Sequence, residues 1–463
     1  MSRYRTSGSK GLLALIVLIY CALGLAYAVE TPKWQVPDEP AHYNYVLYLA
    51  QNGRFPVLQM GDYLHEYLEE IKAARFPPDM SIAPLRYEFH QPPLYYVLGA
   101  VLYKATPFLG FEVQFLTLRL FSVLLGCLLL LVSYAVVKEI FPDQEFLALT
   151  TTAFMATVPM HIAMSAAINN DTLAELILAL IVWVCIRGLK KGPPQRQALL
   201  LGVLLALALL TKTTIYLPAI LCVVLVVGAR ARLLGKRTFL QQLGLIAGAA
   251  LLSSWWFLRN VLVYGGLDFL GWQRHDSIVI GQPTTAEWIS RYGRSKVIHD
   301  FFVTSFHSFW AQFGWMGILV DSRLYALLGV ICILVAVGFL LFLARLGRAR
   351  QSLTSFQYWA LGLLLLVFVL ITAEHISYNL KFVQHQGRYL FPALVPIGLA
   401  FALGLREWVD IIVRPVSHLR SLQPYAGALP NVGKCLAFSV FYAGFLSLDL
   451  ICLYRFIVPY FQG

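Results

Sequence analysis

The amino-acid sequence predicts an all-α polytopic membrane protein, and three observations support this fold class. Hydrophobic residues make up 59% of the 463 residues and charged residues only 13%, about half of the roughly 25% that is common in water-soluble domains. The mean hydropathy is +0.69. Apolar runs of about 20 residues, the length that spans a bilayer as a helix, recur along the whole chain.

The distribution of basic residues predicts how these helices are oriented. The net charge is +12, but most Lys and Arg residues lie in short loops between apolar runs, as the positive-inside rule expects. We therefore predict a lipid bilayer as partner and no nucleic acid. The N-terminus and four basic loops are assigned to the cytoplasm, namely 187–196, 230–237, 345–350 and 406–420.

About eleven crossings follow from this assignment, with the N-terminus inside and the C-terminus outside. They are 11–29, 116–137, 147–162, 171–187, 197–211, 214–229, 240–259, 323–344, 356–374, 388–404 and 436–457. We interpret 1–463 as a single transmembrane catalytic domain. We expect it in the cytoplasmic membrane of a bacterium. The seven cysteines all fall in or beside apolar runs without a CxxC pair, so no disulfide framework or zinc site is predicted.

Two long segments lie on the outer side in this topology. The first, 30–115, is an extracytoplasmic loop with juxtamembrane helices and the candidate catalytic motif; the second is 260–322. The apolar stretch 94–109 is short and flanked by prolines, so we expect a juxtamembrane or re-entrant helix. A shallow full crossing is the competing interpretation.

Asp38 and Glu39 are the leading candidates for catalysis. They lie side by side in the sequence Val-Pro-Asp-Glu-Pro-Ala-His, just beyond the first apolar helix. An Asp at this position is also a common helix N-cap, and acids are favoured in a first helical turn. The functional hypothesis is that Asp38 is a general base and Glu39 orients the substrate or holds a cation.

Further polar groups at the ends of the predicted spans face the same side, where ionisable groups near hydrocarbon indicate a functional site. Arginine suits phosphate because its guanidinium forms paired hydrogen bonds. We assign donor-phosphate binding to Arg388, Arg259, Lys212 and His90, and supporting roles to Asp171, Glu88, His42, His375, His385 and Tyr389. Structural alternatives are capping for Asp171 and a snorkelling side chain for Lys212, Arg259 or Arg388.

Several motifs together resemble the GT-C membrane glycosyltransferases. After the first span come Pro-Asp-Glu-Pro-Ala-His, then Gln-Pro-Pro-Leu-Tyr-Tyr, Leu-Arg-Leu-Phe-Ser and Asn-Asp at a span start. The resemblance covers about 30–260 and returns at 384–392; the nearest types are aminoarabinose transferase and the protein O-mannosyltransferases. The Pro-Asp-Glu-Pro-Ala-His and Gln-Gly-Arg-Tyr-Leu pair is closer still to a large bacterial branch of that superfamily.

The resemblance implies a GT-C-like helical bundle, a polyprenyl-phosphate sugar donor, inversion at the anomeric carbon and a catalytic Asp in the first outer loop, here Asp38. Aminoarabinose transferase carries a Lys just before its Pro-Pro-Leu stretch that meets the donor phosphate. This chain has His90-Gln91 there. The departure moves the phosphate role toward Lys212, Arg259 and Arg388 and leaves the sugar open.

The sequence thus predicts an inverting glycosyltransferase acting on the outer membrane face, with a glycan, lipid or protein as acceptor. Nucleotide sugars are cytoplasmic, so an outer site needs a donor carried across on a lipid. One alternative is a transporter or flippase of a lipid-linked saccharide; another is a ligase or polymerase that uses a lipid-pyrophosphate donor. No cofactor is predicted, and a divalent metal between Asp38, Glu39 and the phosphate is the less favoured alternative.

Overall fold

The computed structural model describes residues 2–191, 194–348, 353–417 and 429–462, and this part of the chain is predominantly helical. Parts of three of the four predicted basic loops, 192–193, 349–350 and 418–420, lie outside the described residues. The first nine α-helices are α1 Ser2–Glu30, α2 Glu39–Asn52, α3 His65–Ala73, α4 Leu94–Ala105, α5 Gly110–Ile140, α6 Glu145–Ala156, α7 Pro159–Ser165, α8 Asp171–Lys191 and α9 Gln195–Leu209.

The remaining elements complete the bundle and cover the segment 260–322. Two short antiparallel strands pair with each other, β1 Gln312–Phe313 and β2 Ile318–Leu319. The later helices are α10 Tyr216–Ala250, α11 Ser254–Tyr264, α12 Trp272–Ile278, α13 Thr285–Tyr292, α14 Arg294–Trp310, α15 Ser322–Gly347, α16 Ser355–Lys381, α17 Leu394–Ser417, α18 Leu429–Ile451 and α19 Val458–Gln462. Short 3₁₀-helices cover Tyr87–His90, Thr213–Ile215, Leu251–Ser253 and Gly387–Ala393, and a π-helical turn covers Cys452–Ile457.

The predicted all-α polytopic class is confirmed. Within the described ranges, eight helices are long and apolar enough to cross a membrane, and a ninth crossing results if the bent pair α6 and α7 counts as one span. Helix α10 is kinked at Gly235, where the backbone is not helical (φ 70°). The predicted number of about eleven is reached only if two shorter apolar helices also cross, Gln195–Leu209 and the part before this kink, Thr213–Ala229. That number therefore stays a prediction.

The predicted crossing 147–162 is a broken helix in the structure, and its crossing of the membrane stays a prediction. Helix α6 ends at Ala156, α7 begins at Pro159, and the two axes are bent by 66°. Proline lacks an amide hydrogen and disfavours helical backbone in the residue before it; Val158 accordingly has φ −91° and ψ 109°.

Helix α4 is too short to cross a bilayer in the ordinary way. Its 12 residues rise about 18 Å at 1.5 Å per residue, against a hydrocarbon thickness of about 30 Å. The Leu94 amide donates to the Leu210 carbonyl at 2.8 Å, which ties the start of α4 to the loop after α9. This length supports the predicted juxtamembrane helix over a full crossing.

Candidate functional site

The centre of the candidate site is an ion pair between Asp38 and Arg388. The Arg388 Nη2 group donates to Asp38 Oδ2 at 2.5 Å, and the Tyr87 hydroxyl donates to Oδ1 at 3.0 Å. Burial alone would raise the pKa of the Asp38 carboxyl, but the charge of Arg388 and its hydrogen bond outweigh burial, so the pKa lies below its usual value. Asp38 is therefore ionised at neutral pH. The two residues of this ion pair are 350 positions apart in the sequence.

Backbone geometry positions both members of this pair. Asp38 is the residue before α2 and has a left-handed backbone, φ 67°, which non-glycine residues adopt only where the surroundings hold it. Gly387 passes so close to α14 that a Cβ would lie 2.1 Å from the Ser305 carbonyl oxygen. Only glycine fits there, and this close approach directs the next residue, Arg388, toward Asp38.

A second ion pair, between Lys212 and Asp171, lies beside the first. The Lys212 ammonium bonds the Asp171 carboxylate, and the charges of Arg388 and Glu88 also act on Lys212. Burial would lower the pKa of Lys212, but Asp171 outweighs it and the pKa is raised. Asn170 donates to the Thr211 carbonyl at 3.2 Å, which joins the start of α8 to the lysine loop. Two permanent cations thus face one polar cluster.

Glu88 and His42 complete this cluster, and both are shifted toward their uncharged forms. Burial, together with the charge of Asp38, raises the pKa of Glu88 to about 7, and its Oε2 atom is buried without a hydrogen-bond partner among the described residues. Burial lowers the pKa of His42 to about 3. Its Nδ1 atom lies 2.8 Å from the Tyr96 hydroxyl, so His42 is a neutral packing and hydrogen-bonding group.

Glu39 belongs to a different arrangement. Both its oxygens accept from Arg119, at 2.8 and 2.7 Å, and each accepts one backbone amide besides, from Ile168 and Trp34. Arg119 also donates to carbonyls that end α1, at Ala28 and Thr31. Both side chains are almost completely buried. The catalytic role of Glu39 stays a prediction, and this geometry favours a structural one.

Two predicted phosphate ligands contact other groups. Arg259 lies over the Trp256 ring at 4.8 Å and donates to Asn260 Oδ1 at 3.0 Å and to the Pro56 carbonyl. The Nδ1–H group of His90 donates to the Tyr87 carbonyl at 2.9 Å, and burial lowers the pKa of His90 to about 3. A neutral imidazole offers no charge to a phosphate, so the geometry favours Arg388 and Lys212 for that role.

Three supporting residues surround the Arg388 segment rather than the carboxylates. The guanidinium carbon of Arg388 lies over the ring of Tyr389, 5.3 Å from the ring centroid. His375 lies 3.0 Å from the Ser305 hydroxyl, and burial lowers the pKa of His385. Their contacts support the loop that carries Arg388. Their predicted supporting roles stay predictions.

The cluster offers anion binding and a carboxylate base in one place. Arg388 has spare donors, because Nε has no partner among the described residues and Nη1 meets only the Met164 sulfur at 3.8 Å. Glu39 is engaged by Arg119, so the Asp38–Glu39 pair does not present two free carboxylates to a metal. Among the described residues, no group of three His, Cys, Asp or Glu side chains converges in a way that would hold a metal ion.

Sequence reasoning missed Tyr87 and the partner of Glu39. Nothing in the sequence distinguishes a tyrosine that bonds Asp38, as Tyr87 does, from an aromatic residue at the membrane interface. Arg119 offered a usable signal: an arginine within an apolar run needs an acidic partner, and Glu39 is that partner.

Three solved structures have the same fold. ArnT from Cupriavidus metallidurans, bound to undecaprenyl phosphate, is 16% identical with a TM-score of 0.50, over 97% of this chain and 73% of that chain. Its apo state has the same identity and a TM-score of 0.51, over 98% and 74%. AglB from Archaeoglobus fulgidus, an archaeal oligosaccharyltransferase in complex with an inhibitory peptide and a dolichol-phosphate, is 14% identical with a TM-score of 0.51, over 97% and 56%.

These similarities define the class: a polytopic membrane protein with the GT-C fold, as the sequence motifs predicted. The chain spans just over half of the AglB chain. It belongs to the family described as predicted membrane protein, DUF2142, whose model matches residues 84–397. That match includes Lys212 and Arg388 but begins at residue 84, so it does not include Asp38. A comparison with curated proteins found no match.

Proposed function

We propose that this protein is an inverting glycosyltransferase that moves a sugar from a polyprenyl-phosphate donor to an acceptor hydroxyl at the extracytoplasmic face of the membrane. The observation that carries the proposal is the cluster of Asp38, Arg388, Lys212 and Asp171, which joins an ionised carboxylate to two cations. Solved structures of the same fold include one bound to undecaprenyl phosphate and one in complex with a dolichol-phosphate, which supports a lipid-phosphate donor.

The geometry suits a single displacement. The acceptor oxygen would attack the anomeric carbon while the bond from that carbon to the phosphate oxygen breaks. The acceptor proton would pass to the Asp38 carboxylate. Polyprenyl phosphate would leave with one more negative charge, which Arg388 and Lys212 balance through fixed, partly desolvated donors.

Arg388 couples binding of the donor to the strength of Asp38 as a base. In the ligand-free structure its guanidinium lowers the pKa of Asp38. A phosphate that takes over Arg388 donors would weaken that pairing, since one guanidinium shares its charge between two anions. The pKa of Asp38 would then rise, and the carboxylate would become a better proton acceptor only when donor is present.

The rival classes make different predictions for one assay. Purified protein in lipid nanodiscs is incubated with polyprenyl-phosphate sugars that carry hexoses, pentoses, aminopentoses or N-acetylhexosamines, with polyprenyl-pyrophosphate glycans in a parallel series. The proposal predicts release of polyprenyl phosphate from the first series. Release of pyrophosphate lipid alone would indicate a glycan ligase, and lipid translocation in vesicles without any release would indicate a flippase; either result contradicts the proposal.

A further inference from the structure

The second outer segment forms one wall of an open cleft of about 280 Å³. This volume is close to the lower end of the roughly 300–1,000 Å³ of small-molecule sites. Helices α13 and α14 form one side, and the segment just before Arg388 forms the other. The polar and aromatic lining comprises Trp288, Asp300, Thr304, Gln384, His385 and Gln386.

The cleft adjoins the Asp38 cluster along two chain segments. Gln386 lies two residues before Arg388, so their Cα atoms are at most about 7 Å apart. Met316, also in the lining, follows Trp315, whose indole N–H donates to the Trp34 carbonyl at 2.8 Å in the loop that leads to Asp38. A ligand in the cleft therefore lies beside both segments that deliver the reacting groups.

The lining has the chemistry of a saccharide site. Gln386 Nε2 donates to Gln384 Oε1 at 2.8 Å, while Gln386 Oε1 is buried and has no hydrogen-bond partner among the described residues. A buried acceptor without a donor is costly, and a sugar hydroxyl would supply one once the Gln386 amide turns toward the cleft. Trp288, which packs on Tyr292 with ring centroids 5.0 Å apart, offers an aromatic surface with a polar N–H.

Charge in the cleft argues against a phosphate. None of its lining residues is Lys or Arg. Asp300 is already paired with Lys296, at 2.7 and 2.9 Å, and burial lowers the pKa of His385, which leaves that ring neutral at pH 7. An anionic group would meet no free cation here, whereas an uncharged, hydroxyl-rich ligand would find amides, a hydroxyl and a paired carboxylate.

The two walls are held together before any ligand binds. Thr284 and Glu287 form a capping box that fixes the start of α13. The Thr285 hydroxyl donates to the Asn379 carbonyl at 2.8 Å, and Asn379 exchanges hydrogen bonds with the Gln384 backbone at 3.0 and 3.1 Å. Such preorganisation reduces the entropy lost on binding.

We propose that this cleft binds the acceptor, an uncharged saccharide stacked on Trp288 and hydrogen-bonded by Gln386, with its attacking hydroxyl directed toward Asp38. The assignment rests on the proposed glycosyltransferase function. It gives the segment 260–322, whose role the sequence left open, a part in acceptor recognition.

The test is binding of the full-length, detergent-solubilised protein to an array of neutral mono- to tetrasaccharides, with acidic saccharides as comparators. We expect at least one neutral saccharide to bind and Trp288→Ala and Gln386→Leu each to weaken that binding at least tenfold. Trp288→Phe should retain part of it. Trp272→Ala is the matched control, since Trp272 is an exposed tryptophan of the same outer segment outside the cleft lining, and it should change nothing.

Several results would overturn the assignment: no neutral saccharide bound up to millimolar concentration, acidic saccharides bound in preference, or binding that survives both Trp288→Ala and Gln386→Leu. If Trp288→Ala melts at a much lower temperature than wild type, the comparison of Trp288→Phe with Gln386→Leu decides. Release of polyprenyl phosphate without saccharide binding refutes the cleft alone. Binding through Trp288 without release refutes the proposed transfer and leaves the cleft standing.

Discussion

The neighbouring carboxylates Asp38 and Glu39 lie in two regions of the molecule with opposite properties. Glu39 is fully buried and its oxygens accept four hydrogen bonds, two of them from Arg119. Asp38 keeps 26% of its side chain exposed and has two partners, Arg388 and Tyr87. The first region is saturated and ties α1, α2 and α5 together, whereas the second has spare donors and an unpaired acceptor. Because only the second region has donors and an acceptor left for a ligand, we expect the chemistry there.

The largest expected effect is on stability, through the saturated region. Arg119→Ala leaves Glu39 buried and unpaired, and breaking a buried ion pair in this way costs about 3–5 kcal/mol. Thermal and denaturant unfolding in detergent measure the loss. The matched control is Lys190→Ala, which removes an exposed pair with Glu139 and should cost about 0–1 kcal/mol. Equal stability of the two variants would refute the structural role of the Glu39–Arg119 pair.

The next effect is on donor binding, through the open region. Arg388→Ala should weaken binding of undecaprenyl phosphate well over tenfold, because loss of a partner in a buried charged hydrogen bond costs about 2–5 kcal/mol. Arg388→Lys should restore part of it, since lysine lacks the paired donors. Arg259→Ala is the control: the sequence assigned it to the phosphate, but its contacts lie with Trp256 and Pro56.

Native mass spectrometry in nanodiscs measures the affinity of each variant. A larger loss in Arg259→Ala than in Arg388→Ala would contradict this assignment and favour Arg259, which the sequence also assigned to the phosphate.

A smaller effect concerns pH. The pKa of Glu88 is raised from 4.5 to about 7, by burial and by Asp38, so between these values the folded state holds a proton that the unfolded state has lost. By linkage, stability then falls as pH rises through this window. As the pH rises from about 5 to about 8, the melting temperature of the wild type should fall relative to that of Glu88→Gln. Parallel melting curves of the two proteins over that range would contradict the raised pKa.

The orientation of both regions in the membrane is open to a direct test. We expect externally added maleimide to label single cysteines placed near Lys212 or in 261–322 and to leave positions next to Lys190 unlabelled. The basic loops predict this asymmetry, and the cluster requires Asp38, Lys212 and Arg388 to share one side. Labelling at Lys190 from outside would place the site on the cytoplasmic face.

Composition and charge were enough to predict the fold class and the gathering of Asp38, Asp171, Lys212 and Arg388. Apolar runs determine where helices form, and the positive-inside rule places their polar ends on one side. The details within that end depend on contacts between distant segments. The pairing of Glu39 with Arg119, 80 residues away, for example, carries no local pattern, so the sequence did not show that this arginine holds Glu39.

The bend between α6 and α7 was readable in principle. Pro159 lies inside the predicted span 147–162, and proline breaks a helix at the preceding residue. The placement of Arg259 was not readable, because an arginine at a span end fits a phosphate site and a stack on Trp256 equally well.

The central claim is that Asp38, and not its neighbour, performs the reaction. The most direct test is the rate at which Asp38→Asn and Glu39→Gln release polyprenyl phosphate from the sugar donor. The rate is expressed per folded molecule, with the folded fraction of each variant measured by size exclusion. Loss of a general base lowers the rate about 10²–10⁴-fold, so Asp38→Asn should lose at least a hundredfold while binding donor normally. The folded fraction of Glu39→Gln should keep most of its turnover. Near wild-type turnover in Asp38→Asn, with loss confined to folded Glu39→Gln, would contradict the account.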